Sequence, residues 1–209
     1  MLNPIEHYFN SNGDFNYLNI INYILILIFS VIASILVAQY AEKKWKGNKK
    51  IITLVTVGIT LLMTALLISF FGLTAITLQG VILTLILITE SYSDIKVREC
   101  DDWLHVMIVI AGFIGININL IPKMILSAMC IGGIMLFCAL ILDCNIGGAD
   151  IKCATACTFL MGFNRGITGL VIGLFLGIVF NIFKSKEKKK KGFPLIPYLT
   201  AGYLTAFIV

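Results

Sequence analysis

The sequence predicts an all-α, polytopic integral membrane protein, on three observations. The chain is 59% hydrophobic and only 13% charged over 209 residues, where a soluble domain is about a quarter charged. Its mean hydropathy of +0.97 leaves too little polar surface to enclose a water-soluble globule. Its apolar residues also run continuously, without the alternation of a transmembrane barrel. The bilayer is therefore the expected solvent for most of the chain.

About eight crossings are expected, in a single membrane-embedded domain over 1–209. The first is the uncharged run 15–41, followed by a basic stretch at 42–50 that carries Trp45. The run 51–89 is uncharged for 39 residues. One helix of that length would extend about 58 Å against a hydrocarbon core of about 30 Å, so it must fold back. Gly72, Thr74, Thr77, Gln79 and Gly80 mark the expected turn. Polar residues cluster at 90–102. The fourth crossing is expected over 103–121, closed by Asn117, Asn119 and Pro122. Segments 124–142, 151–163, 167–183 and 193–209 make up the remaining four, with a glycine-bearing turn at 143–150 and a strongly basic loop at 184–191.

Charge gives an expected orientation. If the loop at 42–50 is cytoplasmic, that face receives 14 of the 16 basic residues, and Lys123 and Arg165 remain on the other. Such a bias follows the positive-inside rule and places both termini outside. The net charge of +5 therefore reads as topology signals and contact with anionic lipid headgroups, not as a nucleic-acid surface. Residues 1–14 hold Glu6 and Asp14 and no basic residue, so a cleavable signal peptide is not expected. The six cysteines form no CxxC pair, and no metal site or cofactor is expected. Cys153 and Cys157 lie one helical turn apart and read as packing. The glycines at 162, 166, 169, 173 and 177 read as a close helix contact.

The acids are as asymmetric as the bases. Glu90, Asp94, Glu99, Asp101, Asp102, Asp143 and Asp150 all belong to two loops on the same expected face. Carboxylates near membrane depth are costly and usually functional. Two loops that carry acids beside helix ends can bring a pair together. In such a pair an ionised carboxylate takes a proton from water while a protonated one polarises a scissile carbonyl. Asp150 follows Gly147 and Gly148, which would let a substrate strand lie close. Asp94 follows the third crossing directly, in Ser93-Asp94-Ile95-Lys96-Val97-Arg98.

Here the sequence resembles a family. Gly147-Gly148-Ala149-Asp150-Ile151-Lys152 is similar to the GxGD signature of type IV prepilin peptidases and their archaeal preflagellin-peptidase relatives. Asp94-Ile95-Lys96-Val97-Arg98, with Trp103-Leu104, resembles their first aspartate motif. Pro194-Leu195-Ile196-Pro197-Tyr198 with Gly202 resembles their proline-bearing last helix. The resemblance implies a membrane aspartyl endopeptidase that removes the basic leader of prepilin-like or archaellin precursors at the cytoplasmic membrane face. It makes Asp94 and Asp150 the catalytic pair and requires no cofactor. Many bacterial members carry a proline where this chain reads Cys100-Asp101-Asp102, which leans the resemblance toward the archaeal branch. The loop at 42–50 is far too short for the methyltransferase insertion of bifunctional members.

Several residues carry a second reading. Asp150 could simply cap a helix, and Asp94 could pair with Lys96 or Arg98. Lys152 could orient substrate or snorkel. Glu90, one helical turn before Asp94, and Asp143 could recognise the basic leader, or be ordinary loop charges. His105 pairs with no nucleophile in any recognisable pattern. Two rival functions follow from the same acids. One is a proton-coupled transporter, which would place them mid-helix. The other is a presenilin-like or signal-peptide-peptidase-like protease, which would carry a proline-alanine-leucine motif where this chain has Pro194-Leu195-Ile196-Pro197. No GxSxG or HExxH motif occurs, which disfavours serine and metal proteases.

Overall fold

A computed structural model of the chain describes residues 17–141, 147–182 and 194–209. Among the described residues there are eight α-helices and no strand: α1 (Tyr17–Trp45), α2 (Lys49–Phe71), α3 (Ala75–Lys96), α4 (Asp102–Ala111), α5 (Ile121–Ile141), α6 (Gly148–Met161), α7 (Phe163–Ile182) and α8 (Ile196–Ile208). Five, namely α1, α2, α3, α5 (with the turn before it) and α7, are long and apolar enough to cross a membrane. Their outward faces are apolar: Leu25 and Leu36 on α1, Leu54 and Leu62 on α2, Leu126 and Met129 on α5, and Phe175 and Ile178 on α7 are all exposed. So much apolar surface is tolerable only against lipid. The protein is a multi-pass helical membrane protein.

The chain divides into two compact units, parted between Leu85 and Ile86 within α3. In the first, α1 and α2 form a helix hairpin. Asn48 starts α2, its side chain accepting the Lys50 amide at 3.2 Å. The buried side of α1 carries Ser30, Ser34, Ala38 and Ala41, and that of α2 carries Thr56, Thr60 and Thr64. Small residues at this spacing let helix backbones approach where lipid supplies no hydrophobic force. Gly72, at a φ of 63°, stops α2. The Thr77 hydroxyl, in the first turn of α3, donates to the Gly72 carbonyl at 2.6 Å, so the fold-back lies at Gly72 and Thr74, the first two of the five residues expected to mark it. Gln79 and Gly80 are already inside α3.

In the second unit the fourth crossing departs from expectation. Instead of one helix over 103–121, α4 ends after 10 residues at Ala111. A turn with Gly115 at a φ of 68° follows. Then comes a 3-10 turn, Ile118–Leu120, opened by Asn117, whose side chain accepts the Asn119 amide. At about 15 Å, α4 spans half the hydrocarbon core. The hydropathy of 112–121 was visible in the sequence, but helix-breaking Gly112 and Gly115 outweigh it.

The last helix is held by glycine. A side chain at Gly202 of α8 would run into the backbone of Gly169 and Gly173 on α7, and one at Gly173 would meet the Leu199 Cα at 2.8 Å. Gly166 likewise leaves room for Thr158 of α6. The expected glycine contact is therefore real at 166, 169 and 173. Gly162 has a separate task, ending α6 at a φ of 79°.

Candidate active site

Asp94 lies two residues before the end of α3. Just beyond, Arg98 takes a left-handed φ of 60°, which stops the helix. The Ser93 hydroxyl donates to the Glu99 carbonyl, and the Cys100 thiol donates to the Glu90 carbonyl at 3.5 Å. These contacts fold the segment 97–101 back on its own helix. The Asp94 carboxylate accepts the backbone N–H of Ile196 at 3.1 Å. Ile196 is the first residue of α8, whose cap position, Leu195, has no side-chain oxygen, and Pro197 has no N–H to offer. Asp94 thus serves as the missing cap, its negative charge at the positive end of the α8 dipole. Four residues further into α8, the Thr200 hydroxyl meets Ser91 at 2.7 Å and the Leu87 carbonyl at 3.2 Å. The proline-bearing segment therefore docks the last helix onto the helix that carries Asp94.

Asp150 is in the first turn of α6, three residues after Gly147. Its carboxylate reaches back to accept the Gly147 N–H at 3.2 Å, the reciprocal half of a capping box. The simple capping reading is therefore partly right, and it coexists with an unusual electrostatic setting. Burial, and next the charge of Asp94, push the Asp150 carboxyl up to about 6 against the pull of the Gly147 N–H and His105. The two aspartates are thus brought close enough to act on one another. Arg98 adds a cation whose field reaches Asp94.

The glycines of the motif work differently from expectation. Gly147 has an extended backbone at φ −66° and ψ 142°, and neither Gly147 nor Gly148 takes a positive φ. A side chain at Gly148 would meet nothing within 4 Å, whereas one at Gly147 would sit 3.0 Å from the Asp150 carboxylate. Gly147 is small so that Asp150 can fold back on its amide. The space around Gly148 is open.

Glu90 also corrects an expectation. It is fully buried, at 0% exposure, and so presents nothing to an incoming leader. Among the described residues its ion-pairing neighbour is His105, whose Nδ1 is 3.7 Å from Oε1. His105, inconspicuous in the sequence, sits between the two motifs. The available signal was an ionisable residue within the apolar run of α4. Lys152 pairs with Asp102 at 2.6 Å on the surface, and that contact holds the Asp102 carboxyl below the usual range. Asp143 and the basic loop at 184–191 lie outside the described residues. Among the described residues no cluster of three or more metal-ligating side chains occurs.

Beside this centre an apolar groove of about 450 Å³ runs between α4, α5 and α6. Asp102, His105 and Lys152 line it, together with Val109, Ile151 and Phe159.

An all-helical membrane protein with two aspartates at helix ends, the charge of Asp94 reaching Asp150, is the class that fold and site define. A profile of the type IV leader peptidase family matches residues 81–182, and over that stretch the chain is similar to this family. The match begins in α3 and ends with α7, so it contains both aspartates and excludes α1, α2 and α8. Searches of curated proteins and of solved structures return no match. The match supports a protease of the leader-peptidase kind, a family whose substrates are precursor proteins.

Proposed function

We propose that this protein is an aspartic endopeptidase that cleaves the leader from type IV prepilin-like or archaellin precursors at the cytoplasmic face of the cell membrane. Asp94 and Asp150 are its catalytic pair. The observation that carries the reading is the setting of Asp150: burial first, and then the charge of Asp94, raise its carboxyl to about 6. Such a pair holds one proton between two acids at mildly acidic pH. Asp94, facing the N–H of Ile196 at the start of α8, is suited to remain the anion. It takes a proton from the attacking water as the oxygen bonds to the scissile carbonyl carbon. Asp150 gives its proton to the carbonyl oxygen, yielding a neutral gem-diol. Asp94 then gives its proton to the leaving nitrogen while Asp150 takes one back from a gem-diol hydroxyl, which breaks the C–N bond, forms the new carboxyl group and restores the starting pair.

Lys152, Gly147, Gly148 and Asp143 are the residues proposed to contact the leader. The open space at Gly148 supports approach of a substrate strand there. The apolar groove is suited to the hydrophobic segment that follows a leader.

Co-expression of a prepilin-like precursor with the wild type, Asp94→Asn or Asp150→Asn tests the proposal. Asparagine is preferred to alanine because each carboxylate also accepts a helix N-terminal N–H, and loss of a cap alone costs about 1 kcal/mol. Both variants should insert normally and leave the precursor uncut. Normal processing by either removes that residue from the mechanism.

A further inference from the structure

Glu90 and His105 form a buried charged pair that the mechanism above does not use. Glu90 is wholly inside the protein, His105 is 5% exposed, and no N–H or hydroxyl donates to either Glu90 oxygen, the Cys153 thiol being the side chain set against them. A lone carboxylate in such a place would be untenable as an anion without a cation beside it. His105 supplies that cation through the geometry of its ring. Nδ1 faces the Asp101 carbonyl oxygen at 3.3 Å, and Nε2 faces the Ala149 carbonyl oxygen at 3.1 Å. A neutral imidazole carries one N–H and would set its other lone pair against a carbonyl oxygen. With a proton on both nitrogens, the ring donates twice and meets the Glu90 charge.

The connections run through three parts of the site. Glu90 is on α3, one turn before Asp94. Asp101 precedes α4. Ala149 is the residue before Asp150. We infer that His105, as an imidazolium balanced by Glu90, is a positioning residue that fixes the turn bearing Asp150 against the helix bearing Asp94. It touches neither the substrate nor the reacting atoms. Its positive charge also acts on Asp150, lowering the hold of that carboxyl on its proton. The other titratable groups around the pair are Asp94 on α3, Cys100 and Asp101 in the connecting segment, Asp102 on α4, and Asp150, Lys152 and Cys153 on α6.

This role rests on the aspartic reading for its effect on rate, but the charge state of the ring does not. Two arms therefore test it on the full chain in detergent. In the first, His7→Gln leaves His105 as the sole histidine, and 15N spectra of the ring report its protons. Both nitrogens should be protonated at pH 7, and Glu90→Gln should convert the ring to the singly protonated form. A singly protonated ring in the parent protein, or one unmoved by Glu90→Gln, overturns the inference. In the second arm, leader cleavage is followed against pH. His105→Gln should lower kcat by about 10²-fold with little change in KM. It should also move the alkaline fall of the profile to higher pH, because Asp150 then keeps its proton longer. A profile that only shrinks, with its limb unmoved, reduces His105 to packing and sinks the proposal. Should His105→Gln not fold, Glu90→Gln carries the same pH-limb test. If Asp94→Asn or Asp150→Asn cleave normally while the ring is doubly protonated, the aspartic reading fails and the charged pair stands.

Discussion

The α1–α2 hairpin and the region from Glu90 to Ile196 bury polar groups in opposite ways. In the hairpin, four buried hydroxyls are satisfied within their own helices. Ser30 and Ser34 donate to carbonyls three residues back at 2.8 Å, and Thr60 and Thr64 to carbonyls four back at 2.7 Å. None of these four bonds reaches a distant residue. In the second region the buried polar groups reach across the sequence: Asp94 to Ile196, His105 to Ala149, Ser91 to Thr200. Self-contained bonds make a passive helix contact in lipid. Long-range bonds to charged groups hold a geometry that a polypeptide would not otherwise adopt, which is what a reaction centre requires.

The largest expected contrast between the two regions is catalytic. Asp94→Asn and Asp150→Asn should each lower leader cleavage by about 10³-fold, the range for losing a general acid or base. Ser34→Ala in the hairpin should leave the rate as it is. A Ser34 variant as inactive as the aspartate variants would erase the distinction. Glycine gives the next contrast. Gly202→Val should destabilise by at least about 1–3 kcal/mol, since the α7 backbone must move. Gly58→Ala, where a side chain would meet nothing within 4 Å, should stabilise α2 by about 0.5–1 kcal/mol. Melting in detergent measures both, and equal effects would refute the close contact of α7 with α8.

The pH dependence should be milder. Asp150 lies raised from 3.8 to about 6, so the folded protein binds its proton more tightly than the unfolded chain does. Its contribution to stability is full below pH 3.8 and is lost as pH rises through about 6. Cleavage should fall in the same window, because the pair gives up its shared proton. A rate that climbs through pH 6 would contradict this protonation scheme. The smallest effect is expected at Lys152, where the ion pair with Asp102 is 55% and 74% exposed. Lys152→Met should leave the melting temperature unchanged, as exposed pairs add little. A clear drop would show the pair to be structural.

Much of this was legible in the sequence. The apolar runs located the long helices because nothing but a bilayer accommodates them, and the motifs singled out the two aspartates. The end of α4 was less legible, since Gly112 and Gly115 interrupt a stretch whose hydropathy alone reads as one crossing. The role of Gly147 was misread for a different reason. Glycine signals both special angles and close approach, and only the fold reveals that Asp150 needs the space. Glu90 and His105 were the least legible, because helical spacing cannot tell a surface charge from one turned inward against a partner fifteen residues away. The capping of α8 by Asp94 was equally hidden, joining residues 94 and 196 with no local signal for their contact.

The left-handed stop at Arg98 has a consequence for durability. Asp94 rides on the last turn of α3, two residues from where that helix ends, and terminal turns unravel far more readily than helix middles. Gentle heating should therefore silence the enzyme while its helices still absorb as helices, with Ser93 and Glu99 acting as the latch that postpones it.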